Sequence, residues 1–262
     1  MDTLQVLTQF YGSYDEDNRL CSRHGMVEYL TTLRYIEKYL QAGMRILEIG
    51  AATGKYSHHL ARQGFRVDAV ELVEHNIDLF KQNTLPGESV TITQGNAVNL
   101  AEFSDDTYDI TLLLGPMYHL FTEKEKRRAL SEAIRVTKKG GIVFAAYCMG
   151  DASIVQYGIG RGEIHNIIRK CMLDPVTFET FSKPWDLFAL HRKEDIDALR
   201  SHFAVTQLHF LATDGYASHM RETLKEMDED TFRLFLQYHF ATCERVDLVG
   251  YSNHTLDIFR KD

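Results

Sequence analysis

Short apolar runs alternate with longer stretches of helical spacing through the first half of the chain. Five runs rich in β-branched and aliphatic residues predict strands at 45–49, 66–72, 89–94, 108–114 and 141–147. Helices are predicted at 26–40 ahead of these strands and at 55–63, 74–83 and 124–137 between them. This alternation predicts an α/β fold in which crossover helices connect parallel strands.

The regular alternation ends after the fifth predicted strand. Scattered glycines and prolines follow, which favour an irregular insertion over further crossover units. Late strands are predicted at 204–212 and 254–260, with helices from 193 and at 231–244. The single domain over 1–262 then comprises an N-terminal cap segment and helix (1–42), a core (43–147), a lid insertion (148–203) and C-terminal strands and helices (204–262).

Composition narrows the class of protein. With 262 residues and 44% hydrophobic content, the chain can bury a sizeable core. No apolar run approaches the roughly 20 residues of a membrane span, and "MDTLQVLTQF" lacks a signal peptide's basic start. Four scattered cysteines without a C-x-x-C pair predict reduced thiols, so we expect a cytoplasmic protein that does not bind membranes.

Charge and histidine spacing exclude two further classes of partner. Because the formal net charge is -8, the global field repels phosphate backbones, and no nucleic-acid partner is expected. The lid insertion also has nearly balanced charges, so it offers no cationic channel for nucleic acid. The twelve histidines show no H-x-x-x-H spacing, and we predict no metal site.

The stretch "GAATGKYS", residues 50–57, follows the first predicted strand and has the composition of a nucleotide-binding turn. It is one residue too short for a triphosphate loop, and Tyr56 stands where that loop needs a magnesium-binding hydroxyl. A dinucleotide fingerprint needs glycine at its third and sixth positions, which here are Ala52 and Lys55. Both common nucleotide loops are therefore disfavoured.

The remaining pattern is E-x-G-x-A-x-G, with Glu48, Gly50, Ala52 and Gly54. It resembles the cofactor loop of class I S-adenosylmethionine-dependent methyltransferases of the small-molecule type, with alanine at the family's middle glycine. The resemblance implies a Rossmann-like sheet of seven mostly parallel strands, an antiparallel late strand and helices on both faces. It also implies methyl transfer from S-adenosylmethionine to an unidentified small-molecule acceptor, which leaves S-adenosylhomocysteine.

Other segments resemble further cofactor contacts of this family. Glu71 ends the second predicted strand, where a carboxylate accepts hydrogen bonds from ribose hydroxyls, although NAD sites share this feature. "GNA" follows the third strand and "LLLGPMYHL" the fourth, similar to the family's adenine loop and post-strand segment. The cofactor-binding residues implied are Glu48, Gly50, Ala51, Ala52, Gly54, Tyr56, Glu71, Leu72, Asn96, Ala97, Leu114 and Gly115.

Residues for the chemistry and the acceptor follow from position and type. His119 is the candidate general base, because an unperturbed histidine pKa of about 6.5 suits proton transfer at neutral pH. A packed or helix-capping histidine is the alternative. The candidate acceptor-binding residues are Tyr14, Arg23, Tyr118 and Trp185. Four aromatic residues of the lid insertion have helical spacing, namely Phe178, Phe181, Trp185 and Phe188. They form either a substrate wall or ordinary core, and Pro184 argues against one continuous helix.

Two other functions stay open at this point. A catalytically silent S-adenosylmethionine-binding protein would carry the same loop. A nicotinamide-dependent oxidoreductase is less favoured because of Ala52 and Lys55.

Overall fold

A single mixed sheet organises the molecule. The computed structural model describes residues 3–14 and 16–262, so residues 1, 2 and 15 of the predicted cap segment lie outside the described part. The strands are β1 (Arg45–Ile49), β2 (Arg66–Glu71), β3 (Val90–Gln94), β4 (Tyr108–Leu113), β5 (Thr137–Met149), β6 (Leu190–His191), β7 (Val205–Ala212) and β8 (His254–Lys261).

The strand order is β3-β2-β1-β4-β5-β8-β7, with β6 paired to the end of β5. Strands β1 to β5 are parallel, whereas β8 runs antiparallel to both of its neighbours, β5 and β7. This confirms the predicted arrangement, including the antiparallel position of the last strand. The eighth strand, β6, was not predicted, because a two-residue pairing has no periodicity to detect.

The α-helices alternate with these strands and extend into the cap and the lid. They are α1 (Thr3–Tyr11), α2 (Glu16–Arg19), α3 (Arg23–Glu37), α4 (Lys55–Arg62), α5 (Glu74–Asn83), α6 (Glu123–Val136), α7 (Gly150–Ser153), α8 (Ile164–Arg169), α9 (Lys193–Arg200), α10 (Arg221–Glu226) and α11 (Glu229–Thr242). None of them, within the described residues, combines the length and apolarity that crossing a bilayer requires.

Both faces of the sheet are covered, which explains why its central strands read as continuous apolar runs. Neighbouring residues of a strand point to opposite faces, so Ile46 and Leu47 belong to two different core clusters. Leu112 and Leu113 of β4 divide in the same way. The helices that bury these two faces leave the carboxyl ends of the parallel strands for the site.

Helix α6 begins with a capping box. The Thr122 hydroxyl accepts a hydrogen bond from the Glu125 backbone N-H at 3.2 Å, and the Glu125 carboxylate accepts one from the Thr122 N-H at 3.1 Å. These two bonds satisfy donors that a helix start otherwise leaves free, which fixes where α6 begins after β4.

The lid insertion contains short pieces of helix rather than one long element. A π-helix covers Ile154–Ile159, and the segment 170–183 is mostly turn and loop. The aromatic residues of 178–188 do not share a helical face, because only a 3₁₀ turn, Pro184–Asp186, interrupts this loop. The apolar spacing noted there in the sequence therefore does not mark a helix.

Candidate active site

The loop after β1 is held tightly against β2. The N-H groups of Gly50 and Ala51 both donate to the Val70 carbonyl, at 2.8 and 3.1 Å. Gly50 has a φ of +78°, and a Cβ there would lie 2.7 Å from Pro116. Ala52 also adopts a positive φ, +48°, at the position where the resembling family has glycine. The turn therefore has the left-handed backbone that its glycines indicated.

Gly54 serves packing at the start of α4. Its φ is +89°, and a Cβ at this position would lie 2.5 Å from the Phe80 ring and 2.6 Å from His58. Any larger residue would separate α4 from α5. The glycine that ends the motif is thus explained by helix packing rather than by contact with a cavity.

A first cavity of about 390 Å³ lies where the carboxyl ends of β1, β2 and β4 meet. The strand order reverses between β1 and β4, and open α/β sheets bind ligands at such a switch point. Every predicted cofactor-binding residue except Gly54 lines this cavity. The N-terminal cap also contributes to the wall, through Leu4, Leu7 and Tyr11 of α1, which were not among the predicted site residues.

Glu71 lies at the centre of the wall. Its carboxylate accepts hydrogen bonds from the Ala52 N-H at 2.8 Å and the Val73 N-H at 2.9 Å, which ties the β1 loop to the end of β2. Burial raises the pKa of Glu71, while the hydrogen bonds to the ionised form oppose this shift. Asn76 Nδ2 lies 3.5 Å from the oxygen that takes the Val73 N-H, so capacity for a ligand hydroxyl remains mainly on Oε2, which takes the Ala52 N-H.

Two asparagines that line the cavity, Asn76 and Asn96, test whether it suits an adenosine-type ligand. Asn76 Oδ1 is buried and has no hydrogen-bond partner among the described residues, although Asn76 lines the cavity. Buried polar atoms are normally paired, so this oxygen can accept from a ligand donor. Asn96, by contrast, uses its Oδ1 for the Val98 N-H at 3.2 Å, as in an Asx turn.

Glu48 is a buried carboxyl at the end of β1. It accepts a hydrogen bond from the Ser57 hydroxyl, and no ion pair to it occurs among the described residues. Burial raises its pKa to about 8, with the hydrogen bond from Ser57 acting in the opposite direction. A cationic ligand group in this cavity would favour the ionised form, so Glu48 suits a sulfonium or ammonium.

His119 is a neutral histidine that holds Tyr11. Its Nδ1 lies 3.0 Å from the Leu187 carbonyl, which can only accept, so Nδ1 carries the proton. Nε2 then accepts the Tyr11 hydroxyl hydrogen, at 2.9 Å. Burial lowers the pKa of His119 to about 4. Burial under the cap moves this pKa below the unperturbed histidine value of about 6.5, and the general-base role of His119 stays a prediction.

A second cavity, of about 510 Å³, lies beside the first. Four residues line both cavities: Tyr11, Glu16, Arg19 and Tyr118. We call this shared set the throat. Because α1 and α2 supply three of its members, the N-terminal cap closes over the place where the two cavities meet.

Two of the four predicted acceptor-binding residues line a cavity, and the other two line neither cavity. Tyr14 lines the second cavity and Tyr118 lines both cavities. Arg23 is absent from both linings and instead forms an ion pair with Glu229 at 3.0 Å. Trp185 is 63% exposed on the lid surface and is likewise absent from both.

A group of three potential metal ligands lies beside the second cavity. The ligand atoms lie within 4.8 Å of one another and come from Glu28, Asp214 and His254. Arg19 Nη1 already lies 2.9 Å from the Glu28 oxygen that faces His254. The guanidinium already occupies this oxygen, so a metal ion held by all three ligand atoms would have to displace it. The cluster therefore has the character of an ion-pair network, and the absence of a metal stays a prediction.

The fold and the first cavity define a Rossmann-like protein with a candidate ligand site at the switch point of its sheet. Residues 46–141 match the family described as a methyltransferase domain. This match supports the resemblance to class I S-adenosylmethionine-dependent methyltransferases noted in the sequence, and solved methyltransferases share the Rossmann-like fold.

The chain is also similar to individual proteins that depend on S-adenosylmethionine or transfer methyl groups. Demethylmenaquinone methyltransferase of Clavibacter sepedonicus is 30% identical over 56% of this chain and 58% of its own length. An S-adenosyl-L-methionine-dependent Diels-Alderase of Talaromyces variabilis is 28% identical over 39% and 35%. The chain thus spans about a third to three fifths of these relatives. A solved S-adenosylmethionine-dependent methyltransferase of Thermotoga maritima shares the fold over 99% of this chain and 100% of its own, with a TM-score of 0.61 and 17% identity.

Proposed function

We propose that this protein transfers the methyl group of S-adenosylmethionine to a small-molecule acceptor. The observation that carries the proposal is the throat, whose four residues line both the cavity that contains the cofactor-type loop and the second, larger cavity. The sulfonium of the bound cofactor supplies an activated methyl group, so alignment of the acceptor contributes most of the catalysis. The throat residues supply that alignment.

The first cavity offers a group for each part of the cofactor. We assign Glu71 to the ribose hydroxyls, with Asn76 Oδ1 as a neighbouring acceptor. Glu48 and the β1 loop take the methionine end, where the cofactor is cationic. Ala97 and the wall around Asn96 take the adenine. Gly54 supports the loop from behind, through the packing of α4 on α5.

One relative favours a second candidate function. The Diels-Alderase is named for a cycloaddition, although it depends on S-adenosyl-L-methionine. A protein of this type would keep the first cavity and use the second for a reaction without methyl transfer. Transfer of labelled methyl separates the two candidates.

The test begins with calorimetric titration of S-adenosylhomocysteine, for which we expect micromolar affinity and no comparable binding of NADH. S-Adenosylmethionine carrying a labelled methyl group is then incubated with the protein and pools of small-molecule acceptors. Appearance of label in an acceptor, in equal amount to S-adenosylhomocysteine, is the expected result. Tight cofactor binding without any transfer would favour the second candidate, and failure of the folded protein to bind either ligand would contradict both.

A further expectation concerns the proton on Glu48. Because its pKa is raised to about 8, Glu48 is mostly protonated at pH 7, and a bound cation restores its ionised form. Binding of S-adenosylmethionine at pH 7 should therefore release nearly one proton. The measurement compares binding enthalpies in buffers of different ionisation enthalpy. Glu48→Gln should abolish the release, whereas Glu37→Gln, an exposed carboxylate on α3, should leave it unchanged; release that persists in Glu48→Gln would contradict the assignment.

We also place the protein in the cytoplasm as part of this proposal. Among the described residues its four cysteines form no disulfide, and two of them are exposed. Exposed thiols persist in reducing compartments, which supports the expectation drawn from their spacing.

A further inference from the structure

Five charged side chains of alternating sign form one continuous chain beside the second cavity. Glu16 pairs with Arg19 at 2.8 Å, Arg19 with Glu28 at 2.9 Å, Glu28 with His254 at 3.4 Å, and His254 with Asp214 at 3.2 Å. We call this set the charged chain. All five side chains line the second cavity, and two of them, Glu16 and Arg19, also belong to the throat.

The charged chain has an excess of negative charge. Both of its ends are carboxylates, so three anions face two cations even when His254 is protonated. Burial alone would lower the pKa of His254, but Glu28, the Cys148 thiol and Asp214 raise it well above its usual value. The remaining ionised groups of the cavity wall, Arg221 and Asp186, cancel one another. His24 adds no charge, since burial and the nearby Arg221 lower its pKa.

Aromatic rings form much of the remaining wall. Seven phenylalanine and tyrosine side chains line the second cavity. Phe10 stacks on Tyr14 with ring centroids 4.8 Å apart, and Tyr118 meets Phe188 edge to face at 5.9 Å. Aromatic faces attract organic cations, and they also accept the apolar body of a ligand. A neutral or anionic ligand would gain only the second of these contributions.

Resting on the proposed methyl transfer, we propose that the acceptor is an amine with an aromatic or apolar body, bound through its ammonium group by the charged chain and methylated on nitrogen. The excess negative charge of the charged chain attracts the ammonium group, and the aromatic rings of the wall enclose the body of the amine. Glu16 belongs to both the charged chain and the throat, so it holds the ammonium group near the first cavity.

The proposed step conserves atoms and charge. The ammonium first loses one proton, which passes through the carboxylates of the charged chain to water. The nitrogen lone pair then forms the bond to the methyl carbon, and the electron pair of the carbon-sulfur bond leaves with sulfur. The positive charge therefore moves from sulfur to nitrogen, toward Glu16 and Glu28. Fixed carboxylates near a developing positive charge stabilise the transition state, so binding and chemistry favour the same class of acceptor.

Binding of three matched probes tests this class without relying on turnover. Protein saturated with S-adenosylhomocysteine is titrated calorimetrically with 2-phenylethylamine, 2-phenylethanol and 3-phenylpropanoate, which are cationic, neutral and anionic at pH 7. We expect the amine to bind at least tenfold more tightly than the alcohol and more tightly still than the carboxylate. Equal affinities, or a preference for the alcohol or the carboxylate, would overturn the proposal.

Variants locate the preference in the charged chain. Glu28→Gln should lower the amine affinity at least tenfold and change the alcohol affinity by less than twofold. Glu179→Gln, an exposed lid carboxylate outside the cavity lining, is the matched control and should change neither. If Glu28→Gln does not fold, Glu16→Gln serves the same purpose. An amine preference that survives these substitutions would overturn the proposal.

The amine proposal and the methyltransferase proposal can be refuted independently of each other. S-Adenosylhomocysteine that binds while the amine does not would refute the amine class and leave the methyltransferase proposal intact. A folded protein that binds no S-adenosylhomocysteine would refute the methyltransferase proposal itself.

Discussion

Replacing Glu71 with alanine should weaken S-adenosylhomocysteine binding by about 100-fold or more. A hydrogen bond to a charged group contributes about 1.5–3 kcal/mol, and the carboxylate is assigned two ribose hydroxyls. Since about 1.4 kcal/mol is a factor of ten in affinity, even the lower figure for both bonds gives about 100-fold. Glu71 also holds the Ala52 N-H, so its loss frees the β1 loop as well. Calorimetric titration measures the change directly.

Two further variants separate the ligand contact from the loop contact. Glu74→Ala removes an exposed carboxylate at the start of α5 and should leave affinity unchanged. Glu71→Gln keeps one carbonyl acceptor and the side-chain length, so we expect an intermediate loss of about tenfold. An affinity within twofold of the original in folded Glu71→Ala would show that the ribose does not lie against this carboxylate.

The part of the first cavity formed by the β1, β2 and β4 ends was predictable because these contacts are local to strand ends. Glu48 and Glu71 each end one strand of a parallel pair, and parallel strands end at the same edge of a sheet. Because β1 and β2 are consecutive in the chain and pair in parallel, the sequence predicts that Glu71 lies beside the β1 loop. The positive φ of Gly50 follows from the same local requirement for a tight turn.

The second cavity could not be predicted, because its charged groups come together only through tertiary packing. Glu28 belongs to α3, Asp214 to the turn after β7 and His254 to the start of β8. No periodic pattern connects these positions. Arg19 lies in a short polar helix of the cap, and a four-residue element has too few residues to show a buried face. The sequence marked the cap only as polar and aromatic.

Removing either partner of the Tyr11 and His119 pair should lower kcat by about 100-fold while cofactor affinity changes less than threefold. Tyr11 lines the throat, and its hydroxyl is held by His119 Nε2. A misplacement of about 1 Å at a reacting centre costs on the order of 100-fold in rate. Tyr11→Phe and His119→Ala each remove the hydrogen bond that holds the aromatic ring of residue 11 in place. The double variant should therefore be no slower than either single variant, because paired residues that act as a unit are not additive.

The pH dependence of the same variants distinguishes positioning by His119 from general-base catalysis. Since burial lowers the pKa of His119 to about 4, the imidazole is neutral at every pH above about 5 and can accept the Tyr11 hydrogen throughout. The contribution of His119 to the rate should therefore be lost only as the pH drops through about 4, where the imidazolium can no longer accept. A general base of ordinary pKa would instead give a break near about 6.5. We expect no such break in kcat between pH 5 and 8; a break near 6.5 that disappears in His119→Ala would show that His119 takes a proton itself and would refute the positioning role.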